Sequence, residues 1–286
     1  MNENKKNLPA SIHARLLNLA RNENRPLNEL LQYYAIERFL YRLGKSVYRQ
    51  NFVLKGAQML RAWSAPLARP TMDIDLLGKV NNDIENLEKI VRQCCVIEFE
   101  DGVSFDAESV KGELIRKDAE YQGVRVLLKG SLGKIRLHLQ IDFGFGDAVV
   151  PAPIEIDLPQ LLDLGKPHLL GYTPESAIAE KFQAMVALDM TNTRMKDFYD
   201  IWLLSNNLKF DKKILAEAIK ETFKRRNTPL PDAVPMALTS EFSQDETKQK
   251  QWKAFLRKNR LDTVIELFEV VREIEDFLMP IVSAIE

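Results

Sequence analysis

The sequence predicts an α+β fold: a small mixed β-sheet flanked by N-terminal helices and a C-terminal helical bundle. Three observations carry this. Apolar residues recur at helical spacing towards both ends of the chain. The clearest strand, Ile135 to Phe143, lies between them and alternates apolar with polar residues. Glycine turns punctuate the apolar runs of that middle region. The expected division is an N-terminal helical segment at 1–46, a mixed core at 47–165 and a helical domain at 166–286.

Taken in order, Ile12, Leu16 and Leu19 place a first helix. A second is opened by Pro26 and closed by Gly44, with Leu27, Leu30, Leu31, Tyr34 and Leu43 along it. Phe52-Val53-Leu54 runs into the turn Lys55-Gly56, and Met72 to Leu77 is short, apolar and interrupted by two aspartates. Val124 to Leu128 reads as a strand, and Gly130 to Gly133 as the hairpin turn leading to Ile135–Phe143. Beyond Gly165 the chain turns helical. Thr173-Pro174-Glu175 combines a cap residue, a first-turn proline and an acid, starting a helix that reaches about Asp189. Further helices are expected over Arg194–Ser205, Leu215–Arg226, Gln251–Arg260 and Leu261–Leu278, with a loop from Asn227 to Glu241. Val264, Ile265, Phe268, Val271 and Phe277 form the apolar stripe of the last.

With 286 residues, 45% of them hydrophobic and 28% charged, the chain can build one large or two smaller cores without disulfides. The two cysteines, Cys94 and Cys95, are adjacent, which suits neither a disulfide nor a metal-ligand spacing, so reduced thiols are expected. The start, Met1 to Asn7, lacks the apolar stretch of a signal peptide, and no run approaches the roughly 20 apolar residues of a membrane span. No membrane partner and a cytoplasmic location are expected. The formal net charge of −1 excludes a globally basic nucleic-acid binder. Two local basic clusters remain: Lys224-Arg225-Arg226, and Lys248, Lys250, Lys253, Arg257, Lys258 and Arg260. Each reads either as a solvated helix face or as a contact to nucleic acid.

The stretch Thr71-Met72-Asp73-Ile74-Asp75-Leu76-Leu77 carries the most chemistry. On a strand Asp73 and Asp75 share one face, about 6–7 Å apart for a rise of ~3.3 Å per residue. Carboxylates that close raise one another's pKa unless a cation intervenes, and a hard divalent ion takes such oxygen ligands. Asp142 lies on the polar face of the alternating strand, and if that strand pairs beside the Asp73 strand the three acids converge. Three carboxylates around two divalent metal ions suit an in-line phosphoryl or nucleotidyl displacement. Asp142 reads equally as a strand-end cap of the turn Gly144-Phe145-Gly146. A glycine turn at Lys55-Gly56-Ala57 lets backbone N–H groups approach phosphate, or is ordinary turn punctuation. Lys181 emerges among Ala177, Ile178, Ala184 and Met185, so it either snorkels or reaches for an anion. Lys196 and Asp200, four apart, read as an intrahelical pair or as site residues. His13, His138 and His168 are scattered, and no Ser-His-Asp set, zinc spacing or Walker loop is present.

Five stretches together resemble the AbiEii/AbiGii-type nucleotidyltransferase toxin family, a branch of the DNA polymerase beta-like nucleotidyltransferase superfamily. They are Phe52-Val53-Leu54-Lys55-Gly56-Ala57, Arg69-Pro70-Thr71-Met72-Asp73-Ile74-Asp75, Ile141-Asp142 with Gly146-Asp147, Ala179-Glu180-Lys181, and Arg194-Met195-Lys196-Asp197-Phe198-Tyr199-Asp200. The resemblance spans about Leu8 to Leu278. It implies a nucleotidyltransferase core and a helical part that closes over the nucleotide. It further implies Mg2+ or Mn2+ held by Asp73 and Asp75, with Asp142 as the superfamily's third carboxylate. Lys181 would meet the triphosphate, and Asp200 would be a second catalytic group that orients or activates the acceptor. Lys55, Gly56, Ala57, Arg69, Lys181 and Lys196 form the expected nucleotide-binding set, with Arg69 either orienting phosphate or pairing with an acid. A nucleoside triphosphate, an RNA acceptor such as tRNA and a cognate antitoxin are the implied partners, and some members are linked to abortive phage defence. One departure stands out: Gly56 is followed by Ala57, where many nucleotidyltransferases carry glycine or serine. That leaves open weaker triphosphate binding, altered specificity or a binding relative without catalysis; a separate alternative is transfer to a protein or small-molecule hydroxyl on the same scaffold.

Overall fold

The computed structural model describes residues 7–65, 69–117, 121–261 and 265–285, with backbone alone at 116–117 and 121–122. The fold is α+β, and the chain divides into two compact units. One comprises 1–62, 70–146 and 154–171; the other comprises 63–69, 147–153 and 172–286. The N-terminal helices thus share the first unit with the sheet.

In the first unit, α1 (Leu8–Asn22) and α2 (Leu27–Lys45) precede β1 (Phe52–Lys55), α3 (Gln58–Ala62), β2 (Asp73–Gly78) and α4 (Ile84–Cys95). Then come β3 (Val103–Lys117), β4 (Tyr121–Leu132), β5 (Ile135–Phe145), β6 (Ile154–Asp157) and β7 (His168–Gly171). The seven strands form one mixed sheet in the order β3-β4-β5-β2-β1-β7-β6. β2 runs parallel to β5 and antiparallel to β1, while β1 runs parallel to β7. The period-two pattern of β5 does what it predicts: Leu137, Leu139, Ile141 and Phe143 are buried, and the residues between them are not. Ile74, Leu76, Val124, Val126 and Leu128 join them in the core. Each such side chain, fully buried, contributes about 1.5–3 kcal/mol relative to exposure.

Helix α2 lies against β5 and β7, and α4 against β3. Gly44 is not a helix stop. It sits inside α2, where a Cβ would fall 2.6 Å from the His168 carbonyl oxygen of β7, so only glycine allows the close approach. Arg42 of α2 is buried on Asp101, with contacts of 2.6 and 3.1 Å, and the Tyr34 hydroxyl donates to the Asp101 carbonyl at 2.8 Å. A buried bidentate pair of this kind satisfies both charges that its burial strips of water.

Several expected boundaries move. The β4–β5 turn is at Gly133-Lys134, and Gly130 belongs to β4. Strand β5 extends two residues further, to Phe145, so Asp142 lies within the strand and caps no glycine turn. Helix α4 was missed, although Leu87, Ile90, Val91 and Cys94 recur at helical spacing and are buried. Strand β3 was missed as well. It is an edge strand, with Val103 and Val110 buried and its other described side chains exposed or half-buried, and with an irregularity between Asp106 and Lys111.

The second unit contains α5 (Pro174–Leu188), α6 (Met195–Asn207), α7 (Lys212–Arg225), α8 (Ser240–Gln244), α9 (Glu246–Asn259) and α10 (Leu267–Val282). Thr173 caps α5 by accepting from the Ser176 N–H, as its motif predicts. Stacked rings of Phe198 and Phe242, with centroids 5.2 Å apart, and the group Tyr199, Trp252 and Phe255 fill its core. The last helix starts at Leu267, not Leu261, and its buried stripe is Leu267, Val270, Val271, Ile274 and Leu278. Phe268 is exposed, Ile265 precedes the helix, and Val264 lies outside the described residues. The segment expected as a loop holds a 3-10 turn, Met236–Leu238, and the start of α8.

Candidate active site

In the first unit, the register of the central strands gathers the acids on one sheet face. Asp75 stands opposite Asp142 in the parallel pair and opposite Lys55 in the antiparallel one, and Asp142 stands opposite Arg125 of β4. Lys55, Asp75, Asp142 and Arg125 therefore form one row across four strands, with Asp73 and Gln140 in the row beside it. Asp73 and Asp75 are half-buried, with Ile74 between them buried on the opposite face.

Gly56 follows β1 with φ +72°, and a Cβ there would lie 2.1 Å from Asp75 Oδ2. The backbone of the glycine turn is therefore pressed against the Asp75 carboxylate. Ala57 next to it is buried, its methyl group inside the fold. Asp142 is engaged bidentately by Arg125, Nε–Oδ1 2.9 Å and Nη2–Oδ2 2.8 Å. These hydrogen bonds donated to Asp142, and at longer range the charge of Asp73, raise the Arg125 pKa. Among the described residues no three acidic, histidine or cysteine side chains are gathered closely enough to hold a metal ion. Two of the three expected ligands nonetheless suit a hard divalent cation, because Asp73 and Asp75 present carboxylate oxygens on one face. The third, Asp142, has both oxygens on Arg125.

In the second unit, five charged side chains interlock. Asp200 of α6 accepts from Arg69 at 2.8 and 2.9 Å and pairs with Lys181 of α5 at 2.8 Å. Lys181 also reaches Asp197 at 3.2 Å, and Arg194 holds the second oxygen of Asp197 at 2.5 Å. Three cations against two carboxylates leave these five with one net positive charge. Burial opposes ionisation of Asp200, but Arg69 and Lys181 outweigh it and hold the carboxyl at about 2. Burial likewise opposes the Lys181 ammonium, yet Asp200 and Asp197 raise its pKa, so it remains charged at neutral pH. Lys196 stays exposed, and the four-apart pair with Asp200 is not made. Asp200 turns instead to Arg69 and Lys181.

Asp147 receives a hydrogen bond from Arg226 at 2.9 Å, and Arg226 also lies 3.5 Å from Glu180. Arg226 is thus an internal tie, leaving Lys224 and Arg225 as the exposed cations of that cluster. Lys248 is no part of an exposed basic face either: it is buried, donating to the Asn192 carbonyl at 2.9 Å over the Phe242 ring. Lys250, Lys253, Arg257, Lys258 and Arg260 are exposed. Arg125 was missed by sequence reasoning, and only strand register could have found it, because it lies 17 residues before its partner.

No helix of the described residues is long and apolar enough to cross a membrane. The family described as nucleotidyl transferase AbiEii toxin, type IV toxin–antitoxin system, matches residues 38–274. Among solved structures, JHP933 from Helicobacter pylori is similar at a TM-score of 0.51 and 17% identity, covering 90% of this chain and 93% of that one. A second H. pylori structure, described as a candidate nucleotidyltransferase, is similar at 0.51 and 17%, covering 90% of this chain and 96% of that one. At that identity the likeness concerns the fold. No curated protein matches the sequence.

Proposed function

Because this chain belongs to the AbiEii nucleotidyltransferase family of toxin–antitoxin systems, we propose that it transfers a nucleotide from a nucleoside triphosphate to an RNA acceptor, tRNA first, at the Asp73–Asp75 face of its sheet. The family implies a triphosphate substrate and a cognate antitoxin. One observation carries the reading. Two carboxylates share one face of a central strand, and one of them, Asp75, abuts a glycine turn whose backbone leaves no room for a side chain.

Asp73 and Asp75 would hold the divalent cation, Mg2+ or Mn2+. When bound, that ion supplies charge neutralisation for the triphosphate and a lower pKa for the attacking hydroxyl. Gly56 keeps the Asp75 carboxylate at a set height above the sheet. The backbone N–H groups of the turn then offer contacts to phosphate, a role Ala57 can fill through its amide though not through its methyl. Arg125 fixes Asp142 and adds a cation beside the acids. In the helical unit Lys181 keeps its ammonium charge between Asp200 and Asp197. Asp200, ionised down to about 2, is a weak base, so its part is to hold Lys181 and Arg69 in place.

The test is radiolabelled triphosphate, each of the four in turn, supplied with total RNA. Label on a small RNA with wild type, and none with Asp73→Asn or Asp75→Asn, supports the reading. Equal label with wild type and both variants removes the site, and label on protein shifts the acceptor class. A toxic effect that persists in Asp73→Ala and Lys181→Ala points to binding without catalysis.

A further inference from the structure

Two consecutive residues of α2 reach the backbone around the acidic strand. The Gln32 side-chain amide donates to the Met72 carbonyl at 3.2 Å and to the His138 carbonyl at 2.8 Å. Met72 immediately precedes β2, and His138 lies in β5 two residues before the first paired position, Asp73 opposite Gln140. One amide group thus bridges the two strands at the end where their parallel ladder begins. The next residue, Tyr33, is buried, and its hydroxyl oxygen accepts from the Thr71 N–H at 3.0 Å. Its ring lies under Arg61 of α3, at 4.7 Å, and under Arg25, at 5.2 Å. Arg61 stands on the short helix that follows the Gly56 turn. Tyr33 therefore touches both halves of the site: the helix after the glycine turn by its ring, and the segment before Asp73 by its hydroxyl.

We propose that Gln32 and Tyr33 are positioning residues, which brace residues 71–73 and so set where the Asp73 and Asp75 carboxylates stand relative to the Gly56 turn. The physical need is specific. Thr71 and Met72 are outside the sheet ladder, so nothing within β2 itself holds them. The end of a strand opens more readily than its middle, so bonds that anchor the incoming backbone hold its first residue, here Asp73, in place. Groups that orient metal-binding side chains typically shift metal affinity or activity by about 10–100-fold when removed. The proposal rests on the Asp73–Asp75 reading given above.

Gln32→Leu removes both donated bonds at similar volume, and Tyr33→Phe keeps the ring between the arginines while removing the acceptor. Amide hydrogen exchange over 71–75 and Mn2+ titration, the latter by paramagnetic resonance of the free ion, are measured on the intact protein. Leu16→Ala, in the buried face of α1, is the control for general destabilisation. The expected result is exchange about tenfold faster over 71–75 and a Mn2+ midpoint raised about tenfold in both variants. Leu16→Ala is expected to lower the melting temperature and leave the Mn2+ midpoint in place. A Mn2+ midpoint unchanged in Gln32→Leu and Tyr33→Phe overturns the proposal, whatever their melting temperatures. If wild type binds no Mn2+, the metal reading falls. Exchange over 71–75 then decides the bracing alone, unchanged protection overturning it and accelerated exchange sustaining it.

Discussion

At Gly56 the main chain is itself part of the wall around a carboxylate. Gly56→Ala would set a methyl 2.1 Å from Asp75 Oδ2 on a backbone of φ +72°. The left-handed conformation costs a non-glycine residue about 1–2 kcal/mol, and the Asp75 side chain must also swing away. The expected outcome is modest destabilisation in a urea titration together with at least roughly a 100-fold loss of transfer. Asp200 gives a pH-dependent prediction. Its folded pKa of about 2 lies below the unfolded value of about 3.9. The stabilisation is therefore present above about pH 4 and is lost as pH falls towards 2, some 2–3 kcal/mol in all. Denaturation followed from pH 5 to pH 2 should show this acid limb in wild type, and Asp200→Asn should flatten it. That variant should also be less stable by about 3–5 kcal/mol at neutral pH, since it leaves the half-buried Arg69 and Lys181 short of a carboxylate. Asp73 and Asp75 were legible because alternation on a short strand fixes their common face. The partners of Asp200 and Asp142 were not. Arg69 is 131 residues away from Asp200 and Arg125 is on another strand from Asp142, so only the fold brings them together.

Among elements, α5 was the most legible, since a capping threonine, a first-turn proline and an acid act locally. Its Ser176 was not. The hydroxyl accepts from the Val150 N–H at 2.8 Å and donates to the Val150 carbonyl at 2.9 Å, tying residues 147–153 to the first turn. Ser176→Ala strands that N–H and is expected to destabilise the protein by about 1–3 kcal/mol, measured by chemical denaturation, with the helix content by circular dichroism unchanged. Strand β3 escaped sequence reading for an opposite reason. Val103, Phe105 and Ala107 alternate with polar residues, but the alternation breaks at Ser109, within the irregularity between Asp106 and Lys111, and an edge strand that pairs on one side only needs no continuous apolar face. Helix α10 starts later than its apolar pattern suggests, because Ile265 and Phe268 extend that pattern while the fold leaves them outside the buried stripe.

For the whole molecule, the α+β class and the positions of the helical and mixed regions followed from the shift in apolar period along the chain. A net charge of −1 means that any RNA contact is local. Lys224, Arg225, Lys250, Lys253, Arg257, Lys258 and Arg260 are the exposed cations of the two basic clusters. With about three to five phosphates neutralised, acceptor affinity should fall with salt at a log–log slope of about −2 to −4. Charge reversal at Lys253 and Arg257 together should flatten that slope while leaving triphosphate binding intact, as read by filter binding across a salt series. The way the chain is threaded has a further consequence. It passes between the two compact units at 62/63, 69/70, 146/147, 153/154 and 171/172. No single cut in the gene can therefore release either half whole. A fragment beginning at Tyr172 would carry Asp200 and Arg226 without Arg69 and Asp147, and would keep its helices while missing two of the ions that neutralise its interior.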